Sequence, residues 1–220
     1  MSAVPAPRLD PTAPAERLWL DDTSWVDVVR GWLHDDGEVL ATVIGDAAWR
    51  QGRVWRYERW VDEPRLGTSW APGAPPPHPL LVDAHRDVRR RYKPFGGFAL
   101  ALYRDGRDGV AFHRDRELRW LDDTVIGVLT LGATRPWRLR PRANRHALDE
   151  LHGATHDLRP AAGDLLVMGG RCQADWEHAV PKVPGPVGPR VSLQWRWSAR
   201  SGRPEQGASY RAPRNYSRSG

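Results

Sequence analysis

The spacing of apolar and polar positions in this 220-residue chain changes near residue 95. Before that point, apolar residues recur at helical intervals in two places. One set is Trp25, Val26, Val29, Trp32 and Leu33; the other is Leu80, Leu81, Ala84 and Val88. Three- and four-residue intervals line up on one stripe of a helix, so both segments are expected to be helical. From Phe95 onward the pattern becomes short apolar runs broken by Gly, Pro and Asp. These predict strands at 97–103, 109–113, 124–131, 136–140, 164–168 and 190–197. Helices followed by many short strands predict an α+β architecture, with helices packed on a sandwich or barrel.

The segment 71–79, APGAPPPHP, reads as a proline-rich loop, too poor in backbone donors for a central strand. Residues 1–17 and 201–220 read as disordered ends, since the tail SGRPEQGASYRAPRNYSRSG sets four arginines against one acid with little to bury. Between them, 18–94 and 95–200 divide the remaining chain by pattern. No run approaches the roughly 18 to 20 apolar residues that cross a bilayer, and the first residues lack the apolar stretch of a signal peptide. Cys172 is the single cysteine, which excludes an intrachain disulfide and a multi-cysteine metal site. The expectation is a cytoplasmic protein with no membrane partner, acting as a monomer.

Net charge is +6, and the only lysines are Lys93 and Lys182. Arginine's planar fork suits phosphate, so an anionic polymer such as nucleic acid fits the composition. GC-rich coding produces the same bias, and charge alone leaves both readings open.

Candidate chemistry sharpens the picture. Phe112-His113-Arg114-Asp115 sets an imidazole and a carboxylate two residues apart, on one face of a strand. His178, in QADWEHAVPK, is the best candidate for a third ligand. Two histidines and a carboxylate with open positions form the facial triad of non-haem iron(II) oxygenases. An H-x-D pair alone is weak evidence in a chain with eight histidines. The strand Arg190–Arg196 alternates strictly, with Arg190, Ser192, Gln194 and Arg196 on one face and Val191, Leu193 and Trp195 on the other. Such a polar face either meets water or lines a site inside a barrel, where two arginines would supply forked donors for carboxylates.

Taken together, these segments resemble the AlkB family of oxidative nucleic-acid demethylases over roughly residues 60–198. ALALYRDGRDGVAFHRDRE resembles the family's N-x-Y-x-x-G and H-x-D stretch, and GDLLVMGGRCQADWEHAVPK the segment of the third ligand. RVSLQWR resembles its R-x-N-x-T-x-R strand, and EPRLGTSW its substrate-side segment. The resemblance implies a double-stranded β-helix of the jelly-roll or cupin type, with N-terminal helices and a nucleotide-recognition lid within 18–94. It implies iron(II), 2-oxoglutarate and O2, with His113, Asp115 and His178 as metal ligands. Tyr103, Arg190, Ser192 and Arg196 fall at co-substrate positions. Glu117 matches an acidic position that contacts the damaged base, and Trp70 aligns with an aromatic of the lid. The implied reaction hydroxylates an N-methyl group of 1-methyladenine or 3-methylcytosine, releasing formaldehyde, as in repair of alkylated DNA. The base must first be flipped from its stack.

The chain departs from the family pattern at three positions. Ala101 stands where the family has Asn, and Ser192 and Gln194 replace Asn and Thr. These changes bear on co-substrate binding and leave the ligands and arginines in place. The alternatives are a 2-oxoglutarate-dependent hydroxylase of tRNA, protein or a small molecule, and a catalytically silent nucleic-acid-binding module.

Overall fold

The computed structural model describes residues 5–56, 58–71, 73–115, 118–144, 146, 156–202, 204 and 215–216. In chain order the elements begin β1 (Arg8–Leu9), β2 (Ala15–Trp19), β3 (Ser24–Val29), β4 (Leu33–His34) and α1 (Gly37–Asp46). A long hairpin, β5 (Arg50–Arg56) and β6 (Arg59–Trp70), leads to α2 (Leu80–Arg91). Then follow β7 (Phe98–Tyr103), β8 (Val110–His113), β9 (Thr124–Gly132), β10 (Trp137–Pro141), β11 (His156–Leu158) and β12 (Leu165–Gly170). The chain continues through α3 (Cys172–Asp175), β13 (Trp176–Val180), β14 (Arg190–Ser198) and β15 (Asn215–Tyr216).

Two sheets face each other. The larger runs β15-β5-β6-β7-β14-β9-β12-β3-β2 and the smaller β11-β10-β13-β8, while β1 pairs with β4. Strand β9 shows why the layers stack as they do. Its residues are buried throughout, up to Gly132, because both of its faces are covered. Val125, Leu129 and Leu131 join Val39 and Val43 of α1 and Leu81, Ala84 and Val88 of α2 in one core. Ile126 and Val128 point the other way and pack with Trp137, Leu139 and Val180 of the smaller sheet. Covering both faces removes the apolar surface of the central strands from water, at roughly 25 cal/mol per Å². The outcome is the α+β jelly roll expected from the sequence: helices on one side of the large sheet, the small sheet on the other. The expected strands appear as β7, β8, β9, β10, β12 and β14, and α2 is the expected second helix.

Three expectations are corrected. Residues 25–33 do not form a helix: Ser24–Val29 is strand β3, paired to β2 on one side and β12 on the other. Val26 and Val28 face the small sheet and Val29 faces the helices. A strand covered on both faces loses its period-2 signal, and three β-branched valines fit that setting. The helix of this region is α1, which buries Val39 and Val43. Residues 5–17 are ordered and carry β1 and most of β2, rather than being disordered. Arg91 donates to the carbonyl of Ala13 (2.9 Å) and to that of Pro11, and the Arg17 fork grips Asp27 at 2.6 and 2.9 Å. Finally, β6 and β7 pair across residues 94 and 95, so the two pattern-defined segments share one sheet. The tail lies largely outside the described residues; within it, Asn215 and Tyr216 pair with Arg53 and Gly52.

Candidate metal and co-substrate site

Strands β8 and β13 are antiparallel neighbours with His113 directly opposite His178. The register, set by the small sheet, brings their ring centroids to 4.3 Å. Asp115 follows two residues after His113, and its Oδ1 lies 3.7 Å from His113 Nε2 and 3.9 Å from His178 Nε2. One ligand atom from each residue falls within 4.8 Å of the others, a donor set of two imidazoles and a carboxylate that suits iron(II). His113 Nδ1 sits 2.9 Å from the Ala111 carbonyl oxygen. Donating there puts the proton on Nδ1 and leaves Nε2 with a lone pair for a metal. Trp137 stacks on His178 at 5.7 Å and fixes its ring plane.

The electrostatics match a ligand set ready for a cation. Burial pushes His113 down to about 3, helped by its neighbour His178, and burial likewise lowers His178. Both imidazoles are therefore neutral at pH 7. Burial acts to raise Asp115, but Arg196, His178 and His113 outweigh it and hold the carboxylate well below its ordinary range. Arg196 Nε donates to Asp115 Oδ2 at 2.6 Å, leaving Oδ1 toward the two histidines.

The alternation of β14 resolves into two buried faces. Val191, Leu193 and Trp195 join the helix-side core, while Arg190 and Ser192 are buried on the opposite side, between the sheets. Arg190 has 0% exposure, and one nitrogen, Nη2, donates to Thr130 Oγ1 at 3.1 Å. Its Nε and Nη1 have no hydrogen-bond partner among the described residues. Burial pulls its pKa down to about 10, so the cation persists at neutral pH. A buried, incompletely paired guanidinium costs several kcal/mol and matches the fork geometry of a carboxylate. The residues present thus fit a dicarboxylate at one end and a metal at the other.

The remaining predicted residues divide. Tyr103, Ser192, Gln194, His113, Asp115 and His178 line one pocket. Ala101 is buried directly opposite Ser192 in the β7–β14 register. Arg196 Nη2 donates to Gln194 Oε1, so this glutamine engages the arginine that grips Asp115. Glu117 lies outside the described residues. The structure does not bring Trp70 to the pocket: it pairs with Phe98, stacks on it at 6.1 Å and packs against the helix-side core. That correction follows from strand parity, since Phe98, Leu100 and Leu102 face the helices while Ala101 and Tyr103 face the pocket.

Sequence reasoning missed two features here. Arg65 of β6 also lines the pocket, with Nη1 3.4 Å from the Tyr103 hydroxyl; its inward face shows only once β6 is registered against β7. The hairpin end carries Trp55 and Trp60, 59% and 43% exposed, as an edge-to-face pair at 5.5 Å. Their cross-strand position becomes visible only once the β5–β6 register is known.

Comparison with known proteins places this geometry in a family. Residues 44–203 match the 2OG-Fe(II) oxygenase superfamily. Alpha-ketoglutarate-dependent dioxygenase alkB homolog 3 of Homo sapiens is 29% identical over 172 residues, covering 72% of this chain and 60% of the relative. DNA oxidative demethylase ALKBH2 of Homo sapiens is 31% identical over 94 residues, covering 43% of this chain and 36% of the relative. The chain thus spans 60% to 62% of the length of the alkB homolog 3 relatives it matches. A prolyl hydroxylase from Trichoplax adhaerens, solved with a hypoxia inducible factor peptide fragment, aligns with TM-score 0.54 at 14% identity, over 78% of this chain and 83% of that one. OsALKBH1 aligns with TM-score 0.52 at 12% identity, over 83% and 100%; both show the shared fold. With the match running through the triad and the arginine strand, the chain belongs to the 2OG-Fe(II) oxygenase superfamily, and its sequence is similar to the AlkB homologs within it.

Proposed function

We propose that this protein is an iron(II)- and 2-oxoglutarate-dependent dioxygenase that demethylates nucleic-acid bases, with 1-methyladenine and 3-methylcytosine as its substrates. The observation that carries the co-substrate reading is Arg190, buried in the sheet that faces the triad with two donor nitrogens that find no partner among the described residues. His113, Asp115 and His178 would hold the iron. Arg190 would take the distal carboxylate, with Tyr103 beside it and Ser192 along the same strand face. When bound, iron, 2-oxoglutarate and O2 supply a two-electron oxidation of a C–H bond, with succinate and CO2 as co-products.

The chain's own residues do the rest. The two neutral imidazoles and the ionised Asp115 present lone pairs to the metal without first losing protons. Arg196 keeps Asp115 Oδ2 occupied. The apolar wall of Ile126, Val128, Trp137 and Val180 keeps water from the reacting end of the pocket. Oxidation of an N-methyl group leaves a hemiaminal that expels formaldehyde and frees the base.

Nucleic acid as substrate is supported by the sequence likeness to alkB homolog 3 and ALKBH2 and by the exposed Trp55–Trp60 pair, whose faces suit stacking on bases. Arginines 86, 90 and 91 of α2, a basic run that could contact phosphates, give weak support. Arg86 pairs with Asp83, and Arg90 and Arg91 with the buried Asp87, on a helix packed against the face of the large sheet that lies away from the triad. Glu117 as the reader of an exocyclic amine rests on the family resemblance. The reading is tested by mass spectrometry of methylated DNA and RNA oligonucleotides incubated with protein, iron(II), ascorbate and 2-oxoglutarate. Loss of the methyl group from at least one of the two lesions is the expected result.

A further inference from the structure

The metal ligand Asp115 is held from two sides by glutamines that the reaction itself does not call on. On one side, Gln194 Oε1 accepts from Arg196 Nη2 while Arg196 Nε donates to Asp115 Oδ2 at 2.6 Å. Gln194 and Arg196 are two residues apart on β14 and so share the face that looks at the triad. On the other side, Gln173 Oε1 accepts the backbone N–H of Asp115 at 2.8 Å. Gln173 sits on α3 with 1% exposure, its Nε2 3.5 Å from Met168 Sδ. Its backbone carbonyl takes a second bond, from Arg114 Nη1 at 3.2 Å. The same short helix leads directly into β13, which carries His178.

These contacts have a consequence for coordination. A carboxylate free to rotate would offer both oxygens to a metal and take up a position that a chelating co-substrate or O2 needs. With Oδ2 occupied by Arg196, only Oδ1 faces His113 and His178. A long arginine side chain loses much rotamer freedom in holding that pose, and Gln194 supplies the second anchor. Gln173 fixes the backbone from which the carboxylate projects and ties the H-x-D turn to the strand of the third ligand.

We propose that Gln173 and Gln194 are positioning residues that hold Asp115 as a one-oxygen ligand and set the distance between the two ligand-bearing segments. The proposal rests on the metal-site reading above. It extends that reading to two residues that are not themselves metal ligands; Gln194 lines the pocket and stands where the resembled family has threonine.

The test uses the full chain and Mn(II) as probe, with free Mn(II) read by electron paramagnetic resonance and the melting temperature of the metal-free protein read alongside. Wild-type protein must first bind Mn(II) with loss of binding in His178→Ala; failure there removes the metal site itself, and the proposal with it. Given binding, Gln194→Leu and Gln173→Leu are expected to weaken Mn(II) affinity by about tenfold or more, as losses of outer ligand support do. Gln194→Glu and Gln173→Glu, which keep the acceptor oxygen, are expected to stay within about threefold of wild type. A merely structural role would lower the melting temperature of the metal-free Leu variants and leave Mn(II) affinity of the folded fraction unchanged, which overturns the proposal. Glu variants as weak as the Leu variants overturn it too. Should Gln173→Leu fail to fold, the half-buried Gln194 decides the question by the same two readings.

Discussion

Arg190 lies directly opposite Tyr103 in the β14–β7 register, with its guanidinium carbon 5.7 Å from the ring centroid. The aromatic face partly compensates a cation that burial disfavours, yet Nε and Nη1 have no acceptor among the described residues. Among the described residues this charge is incompletely paired in the interior, and on the proposed reading an incoming carboxylate would offset that cost.

That relationship gives the first prediction. Arg190→Lys keeps the charge and loses the fork, so affinity for 2-oxoglutarate should fall by one to two orders of magnitude, about 1.4 to 3 kcal/mol. Arg190→Met should abolish binding while raising the melting temperature of the ligand-free protein, because a buried charge short of partners is replaced by a well-packed apolar side chain. Calorimetric titration and a thermal melt read the two effects separately. Undiminished binding by Arg190→Met would return β14 to a purely structural role.

The second concerns acid. The unfolded chain protonates its histidines near the ordinary value of about 6.5, whereas folded His113 resists protonation down to about 3 and His178 is lowered as well. Below about pH 6.5 the unfolded state therefore binds more protons, and the metal-free protein should lose stability progressively as pH falls toward 3. Asp115, also lowered, adds loss in the same direction at the acid end. Urea unfolding at pH 7.5 and pH 5 should show this, and His113→Gln combined with His178→Gln should shrink the difference. An equal pH dependence in the double variant would mean that the triad is not its source.

A third prediction separates the tryptophans. Trp55→Ala with Trp60→Ala should weaken binding of single-stranded oligonucleotides by about tenfold or more, since base–aromatic stacking contributes about 1–3 kcal/mol per base, with little change in stability. Trp70→Ala should instead destabilise the fold by roughly 2 kcal/mol or more, because it packs on Phe98, and leave strand affinity intact. Fluorescence anisotropy and urea unfolding of the same variants distinguish the two outcomes; reversed effects would assign Trp70 to the substrate.

The catalytic half of the chain was the legible half, for a physical reason. In β14 the apolar side faces helices and the polar side faces the pocket, so alternation survived and exposed Arg190, Ser192, Gln194 and Arg196 together. The H-x-D pair and His178 were readable because metal chemistry restricts residue type and spacing. The first 70 residues hid their structure. Strand β3 is covered on both faces, which erased its alternation, and α1 (GEVLATVIGD) carries β-branched residues that weaken a helical signal. The hairpin β5–β6 is mostly polar and partly exposed, so no apolar period marked it or pointed Arg65 inward. Gln173 was invisible to spacing arguments, because its partner is a backbone N–H 58 residues away.

The most direct measurement counts products. Protein, iron(II), 2-oxoglutarate and an oligonucleotide bearing 1-methyladenine or 3-methylcytosine should yield formaldehyde and succinate in near-equal amounts, with both lost in His178→Ala. Steady consumption of 2-oxoglutarate with no formaldehyde from any methylated DNA or RNA would contradict the demethylase account and leave a hydroxylase of another substrate in its place.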